Sequence, residues 1–127
     1  MPDEQIETVA REVIGAAIEV HRTLGPGFVE NIYETALALE LTERGIPFAR
    51  QVKIDVFYKG TPIGQSRIDL LVGRVLIVEL KAVDALLPVH KAQVLSYLKA
   101  IKQPLGLLLN FKGETMRGGI QRVILSQ

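Results

Sequence analysis

Cysteine is absent from the 127 residues, which excludes a disulfide framework and a thiolate zinc site. No apolar run approaches the roughly 18 residues that a membrane span requires. The chain starts Met1-Pro2-Asp3-Glu4, which is acidic and unlike a secretory signal. Internal repeats, low-complexity segments and interdomain linkers are missing as well. Charge is nearly balanced, at a formal net +1, which argues against an indiscriminate nucleic-acid coat. Together these absences predict a cytoplasmic protein without membrane association, forming one domain over residues 1–127.

What is present suits a packed core. Hydrophobic residues make up 48% and charged residues 23% of the chain, a globular rather than a disordered balance. The charge is unevenly placed. Residues 1–73 carry 7 basic and 11 acidic side chains, a net −4, and residues 74–127 carry 8 basic and 3 acidic, a net +5. A basic C-terminal half suits a polyanion, or serves ordinary surface solubility.

Periodicity lays out the elements. Asp3 caps a helix to about Leu24, with Ile6, Val9, Val13, Ala17 and Val20 at helical spacing. Gly25-Pro26-Gly27 stops it. A second helix is predicted from about Phe28 to Arg44, with Val29, Ile32, Tyr33, Ala36 and Leu37 as its apolar stripe and Gly45 closing it. Val52–Tyr58 alternates as a half-exposed strand does, and Lys59-Gly60-Thr61-Pro62 reads as a turn. Strands are predicted from about Ile63 to Val72 and from Arg74 to Lys81. A helix from about Pro88 to Lys102 follows, with Pro88 suited to its first turn. The almost wholly apolar Leu105–Phe111 reads as a strand covered on both faces, and a last strand lies near Ile120–Leu125. Two helices, a three-strand meander, a helical crossover and two more strands predict an α/β fold of α+β type, a mixed sheet with helices packed on it.

The chemistry concentrates on two of these strands. Arg74-Val75-Leu76-Ile77-Val78-Glu79-Leu80-Lys81 is rich in branched apolar residues yet ends in Glu-Leu-Lys, and the preceding strand carries Asp69. Glu79 and Lys81 share a face, with Leu80 pointing the other way. Unpaired charge on an apolar strand is costly, so two acids and a base are tolerated mainly where they bind something. The bland alternative is a structural salt bridge from Asp69 or Glu79 to Lys81.

Asp69 followed by Glu79-Leu80-Lys81 and a helix resembles the PD-(D/E)XK nuclease superfamily. Within it, Gly27-Phe28-Val29-Glu30-Asn31-Ile32-Tyr33 resembles the signature of the GxxExxY proteins, as do His90, Gln93, Tyr97 and the strand ending in Asn110-Phe111. Gln93 and Tyr97 also resemble the helical Gln-x-x-x-Tyr motif of RecB-type nucleases. The likeness spans about residues 5–125. It implies a restriction-endonuclease-like core and phosphodiester cleavage dependent on Mg²⁺ or Mn²⁺. Asp69 and Glu79 would be metal ligands, with the Leu80 carbonyl a further one, and Lys81 would neutralise charge developing on the phosphate or orient the attacking water. Glu30 would be a third carboxylate reaching the metal; otherwise it is an acid suited to the helix dipole. Tyr33, one turn on, belongs to the core, its hydroxyl set to position Glu30 or a substrate phosphate. Gln93 and Tyr97 share a helix face and would contact substrate, or form a buried polar pair. His90 is a third participant on that helix or a structural residue.

The register carries a conflict. A two-residue turn at Gly73-Arg74 pairs Val72 with Val75 and sets Asp69 opposite Val78, which puts Asp69 and Glu79 on opposite faces. The metal site requires an odd-length loop such as Gly73-Arg74-Val75, or a bulge. The expected function is a metal-dependent nuclease acting on DNA or RNA, alone or with a homodimeric or recognition partner. A catalytically silent binding or regulatory module that keeps the fold is the main alternative, and a metal-dependent enzyme of another substrate class is a third.

Overall fold

The computed structural model describes residues 2–126. Helices α1 (Glu4–Leu24) and α2 (Glu30–Glu43) precede strands β1 (Phe48–Tyr58), β2 (Thr61–Val72) and β3 (Leu76–Lys81). Helix α3 (Pro88–Ile101), β4 (Leu105–Asn110), a short 3-10 turn (Arg117–Gly119) and β5 (Ile120–Ile124) complete the chain. The strands lie in the order β1-β2-β3-β4-β5. All neighbours are antiparallel except β3 and β4, which the α3 crossover makes parallel.

The sheet separates two cores. Helices α1 and α2 bury Ile6, Val13, Val20, Tyr33, Leu37 and Leu41 against one face, where Val72, Val78, Leu80 and Leu107 meet them. Helix α3 buries Val94, Tyr97 and Leu98 on the other, against Ile68, Ile77, Leu108 and Val123. Coverage on both faces explains why β3 and β4 are nearly continuous apolar runs. Gly106 lets α3 approach β4 closely, since a Cβ there would lie 2.7 Å from Val94 Cγ1.

Local chemistry sets the helix ends. Asp3 Oδ1 accepts from the Ile6 amide at 2.9 Å, a cap that contributes about 1 kcal/mol. Gly25 and Gly27 take φ of 71° and 120°, which only glycine adopts readily, and so turn the chain into α2. The buried stripe of α2 is Tyr33, Glu34, Leu37, Ala38 and Leu41. Val29 and Ile32, predicted as apolar contacts, are exposed. The helix is rotated from the expected face, and it buries an acid in place of those two side chains.

The register of β2 and β3 corrects the simple hairpin. Val72 pairs with Leu76, Leu71 with Ile77 and Leu70 with Val78, so the loop is the three residues Gly73-Arg74-Val75. Gly73 and Arg74 both have positive φ, 60° and 66°, and the Val75 amide donates to the Val72 carbonyl at 3.2 Å. A primed turn of this kind, with one residue added, twists with the strands. Continued one step, the register sets Asp69 opposite Glu79.

A second irregularity lies in the same row. Ile68 joins the α3-side core, and Leu70 joins the core under α1 and α2, although residues two apart on a regular strand share a face. On β1 the same exchange separates Phe48 from Val52, and Gln51 between them has φ 52°. Both strands therefore break their alternation in the row that holds Gln51 and Asp69.

Candidate active site

At that row the main-chain ladder between β2 and β3 gives way to carboxylates. The Asp69 amide donates to Glu79 Oε2 at 2.6 Å, and the Leu80 amide donates to Asp69 Oδ2 at 3.0 Å. Each acid takes a backbone donor from the other strand, which holds the two carboxylates side by side. Glu79 is 3% exposed and Asp69 is half-buried. Burial pushes the Glu79 carboxyl up to about 8. The charge of Asp69 adds to this, while the Asp69 amide and Lys81 oppose it.

Lys81 lies two residues on and reaches α3, where its Nζ donates to Gln93 Oε1 at 3.4 Å. It forms no ion pair among the described residues, so the structural salt bridge is not what this lysine serves. The end of β3 is held from the other side. The Phe111 amide donates to the Lys81 carbonyl at 2.9 Å, and buried Asn110 exchanges two hydrogen bonds with the Val83 backbone.

The acid that joins this cluster from α2 is Glu34, one turn beyond Glu30. Glu34 is 7% exposed. It accepts from Arg50 Nε at 3.0 Å and from Gln51 Nε2 at 2.9 Å, and Gln51 Nε2 also lies 3.5 Å from Asp69 Oδ1. Glu34 is thus linked through Gln51 to the carboxylate pair, and its charge contributes to raising Glu79. Sequence reasoning missed both residues. The signal for Glu34 was an acid in phase with Leu37, Ala38 and Leu41, the same kind of misfit that picks out Asp69 and Glu79.

The structure does not bring the other expected participants into the cluster. Glu30 is exposed at the start of α2, with no hydrogen-bond or ion-pair partner among the described residues. Tyr33 is fully buried, stacks on Phe111 at 4.6 Å and donates to the Gly25 carbonyl at 2.5 Å. Its hydroxyl also accepts from the Phe28 amide at 3.2 Å. It pins the turn before α2 and makes no hydrogen bond with Glu30 among the described residues. His90 Nδ1 accepts from the Leu87 amide at 3.0 Å, which makes it part of the cap of α3. Tyr97 is buried and shares a hydrogen bond with Ser66 Oγ at 2.9 Å, facing the same groove as Gln93. A larger cavity of about 820 Å³, beside Val83–Leu86 and Lys112–Thr115, contains none of Asp69, Glu79 and Lys81.

The arrangement fits a small, hard cation in its donor set. Mg²⁺ keeps most of its waters and takes one or two carboxylates plus substrate oxygens. Asp69 and Glu79 are such a pair, and a cation would replace the proton that Glu79 retains. Among the described residues no group of three or more His, Cys, Asp or Glu side chains gathers as a metal cage.

A mixed sheet covered by helices, with an Asp and a Glu-x-Lys meeting across its two central antiparallel strands, defines a restriction-endonuclease-like α+β domain. The chain belongs to the PD-(D/E)XK nuclease superfamily, whose family model matches residues 7–123. A search of curated proteins finds no match. The superfamily implies a nucleic-acid substrate and divalent-metal use. Among the described residues no helix is long and apolar enough to cross a membrane.

Proposed function

We propose that this protein is a metal-dependent nuclease of the GxxExxY type, hydrolysing phosphodiester bonds with Mg²⁺ or Mn²⁺, in the cytoplasm. The observation that carries the reading is the Asp69–Glu79 pair, held face to face by a three-residue loop, beside a lysine with no carboxylate partner among the described residues. Asp69, Glu79 and the Leu80 carbonyl would hold the cation. When bound, the cation supplies charge to the scissile phosphate and lowers the pKa of an attacking water. Lys81, steered by Gln93, neutralises charge developing on the phosphate. Glu34 and Gln51 orient Asp69.

The test is a nuclease assay on DNA and RNA with Mg²⁺ or Mn²⁺. Lys81→Ala is expected to lower cleavage by roughly 10²-fold or more, the scale on which one preorganised electrostatic group acts. Metal binding should survive, because Lys81 is not a ligand. Cleavage that persists in Lys81→Ala overturns the assignment. One observation favours a second reading, a silent module that keeps the fold: the two acids already accept backbone donors, and among the described residues no third acid completes a cage. That module would bind nucleic acid without any metal-dependent cleavage.

A further inference from the structure

Beyond the row of Gln51 and Asp69, the β1–β2 hairpin continues as an arm. Strand β2 pairs with β3 only over Leu70–Val72, while its pairing with β1 runs out to Tyr58 and Thr61. Between this arm and α3 lies a groove of about 530 Å³. Ile54, Asp55, Val56 and Phe57 line it from the arm, and Gln93, Tyr97 and Lys99 line it from the helix. The register shifts between Val56 and Phe57, and such a bulge turns two successive side chains to one side. Phe57 is 59% exposed. Gln93 is at once a wall of the groove and the partner of Lys81, so the groove adjoins the cluster through Gln93, with none of Asp69, Glu79 and Lys81 in its lining.

Its own lining holds one cation, Lys99, and one acid, Asp55, but the elements that form it carry more cations than acids. The arm carries Lys53, Lys59 and Arg67, and α3 carries Lys91 and Lys99, with Asp55 the one acid on either element beyond Gln51 and Asp69. None of these five cations is in an ion pair among the described residues. Such a local excess in a chain of net charge +1 suits a polyanion. It disfavours a second copy of this chain, which would bring the same cations.

We propose that this groove receives an unpaired nucleotide of single-stranded nucleic acid, stacked on Phe57 with its backbone near Lys99. The inference rests on the nuclease reading and names its substrate class. In a duplex the base faces are stacked on one another. Only an unpaired base offers its face to an exposed aromatic ring, and such stacking tolerates any sequence.

The experiment is binding of fluorescein-labelled oligonucleotides, single-stranded and duplex, DNA and RNA, measured by anisotropy in EDTA so that no turnover intrudes. Single strands are expected to bind at least about ten-fold more tightly than duplexes. Phe57→Ala should weaken single-strand binding by about 5- to 150-fold, the range that loss of one stacked base spans, and leave duplex binding unchanged. Phe57 is mostly exposed, so the variant should fold; Lys99→Glu is a second variant, expected to weaken both forms. Equal affinity for single strands and duplexes overturns the proposal, as does unchanged single-strand affinity in Phe57→Ala. So does sedimentation in which Phe57→Ala splits a dimer and nucleic-acid affinity stays the same. A separate cleavage assay in Mn²⁺ keeps the two readings apart. Single-strand preference without cleavage overturns the nuclease reading alone, while cleavage that needs Lys81 but not Phe57 overturns the groove alone.

Discussion

Asp69 and Glu79 meet at one point of the sheet with unequal solvation, and the inequality has a pH signature. The folded Glu79 carboxyl titrates near 8 because it is buried and faces Asp69, against 4.5 for the ordinary group. Below about pH 4.5 it is protonated in both folded and unfolded chains. Between 4.5 and 8 the unfolded chain releases a proton that the folded protein keeps, so stability falls as pH rises through this window. Above 8 both forms are ionised and the penalty stays constant, on the order of a few kcal/mol. Urea unfolding in EDTA from pH 5 to 8 should therefore show wild type losing stability relative to Glu79→Gln. Parallel curves for the two proteins would show that Glu79 titrates normally. Residue types alone led to this pair because charges on an apolar strand are conspicuous. Gln51 was illegible, since an exposed glutamine on a half-polar strand is ordinary until its left-handed φ and its two acid neighbours are seen.

At the scale of elements, most of the architecture was legible in the pattern: the cap at Asp3, the stop at Gly25, the meander, and β4 covered on both faces. The hairpin register was not. Its loop takes in Val75 because Val72 pairs with Leu76, and positive φ at Gly73 and Arg74 suits a two-residue primed turn equally well, so residue types do not separate the two registers. Nor was the face of α2, where Val29 and Ile32 drew the predicted stripe away from Glu34. The seat of α3 depends on a contact between elements. Gly106 on β4 admits Val94 so closely that a methyl group would overlap it. Gly106→Ala is expected to destabilise the fold by about 1–3 kcal/mol, the usual cost of overpacking, read as a lower urea midpoint. The shifted helix should also carry Gln93 away from Lys81 and weaken cleavage. An unchanged midpoint would mean that Val94 yields freely and that α3 is not seated by this contact.

Over the whole molecule, two apolar cores hold a charged row at the junction of β1, β2 and β3, and in that row the fold works against itself. On the proposed reading, carboxylates that repel in the free protein would become an attractive site once a cation arrives, and a ligand that binds only the folded state stabilises it by mass action. Millimolar Mg²⁺ or Mn²⁺ should therefore raise the melting temperature of wild type. At a hundred times Kd the gain is about 2.7 kcal/mol. Asp69→Asn should remove most of this gain. It should also raise the metal-free baseline, because asparagine still offers an acceptor to the Leu80 amide while relieving the repulsion that Glu79 feels. The two effects have opposite signs in one variant, so general destabilisation cannot imitate them. A wild-type melting temperature unmoved by millimolar Mn²⁺ would instead mean that the row binds no cation, and that this chain keeps the nuclease fold without its metal.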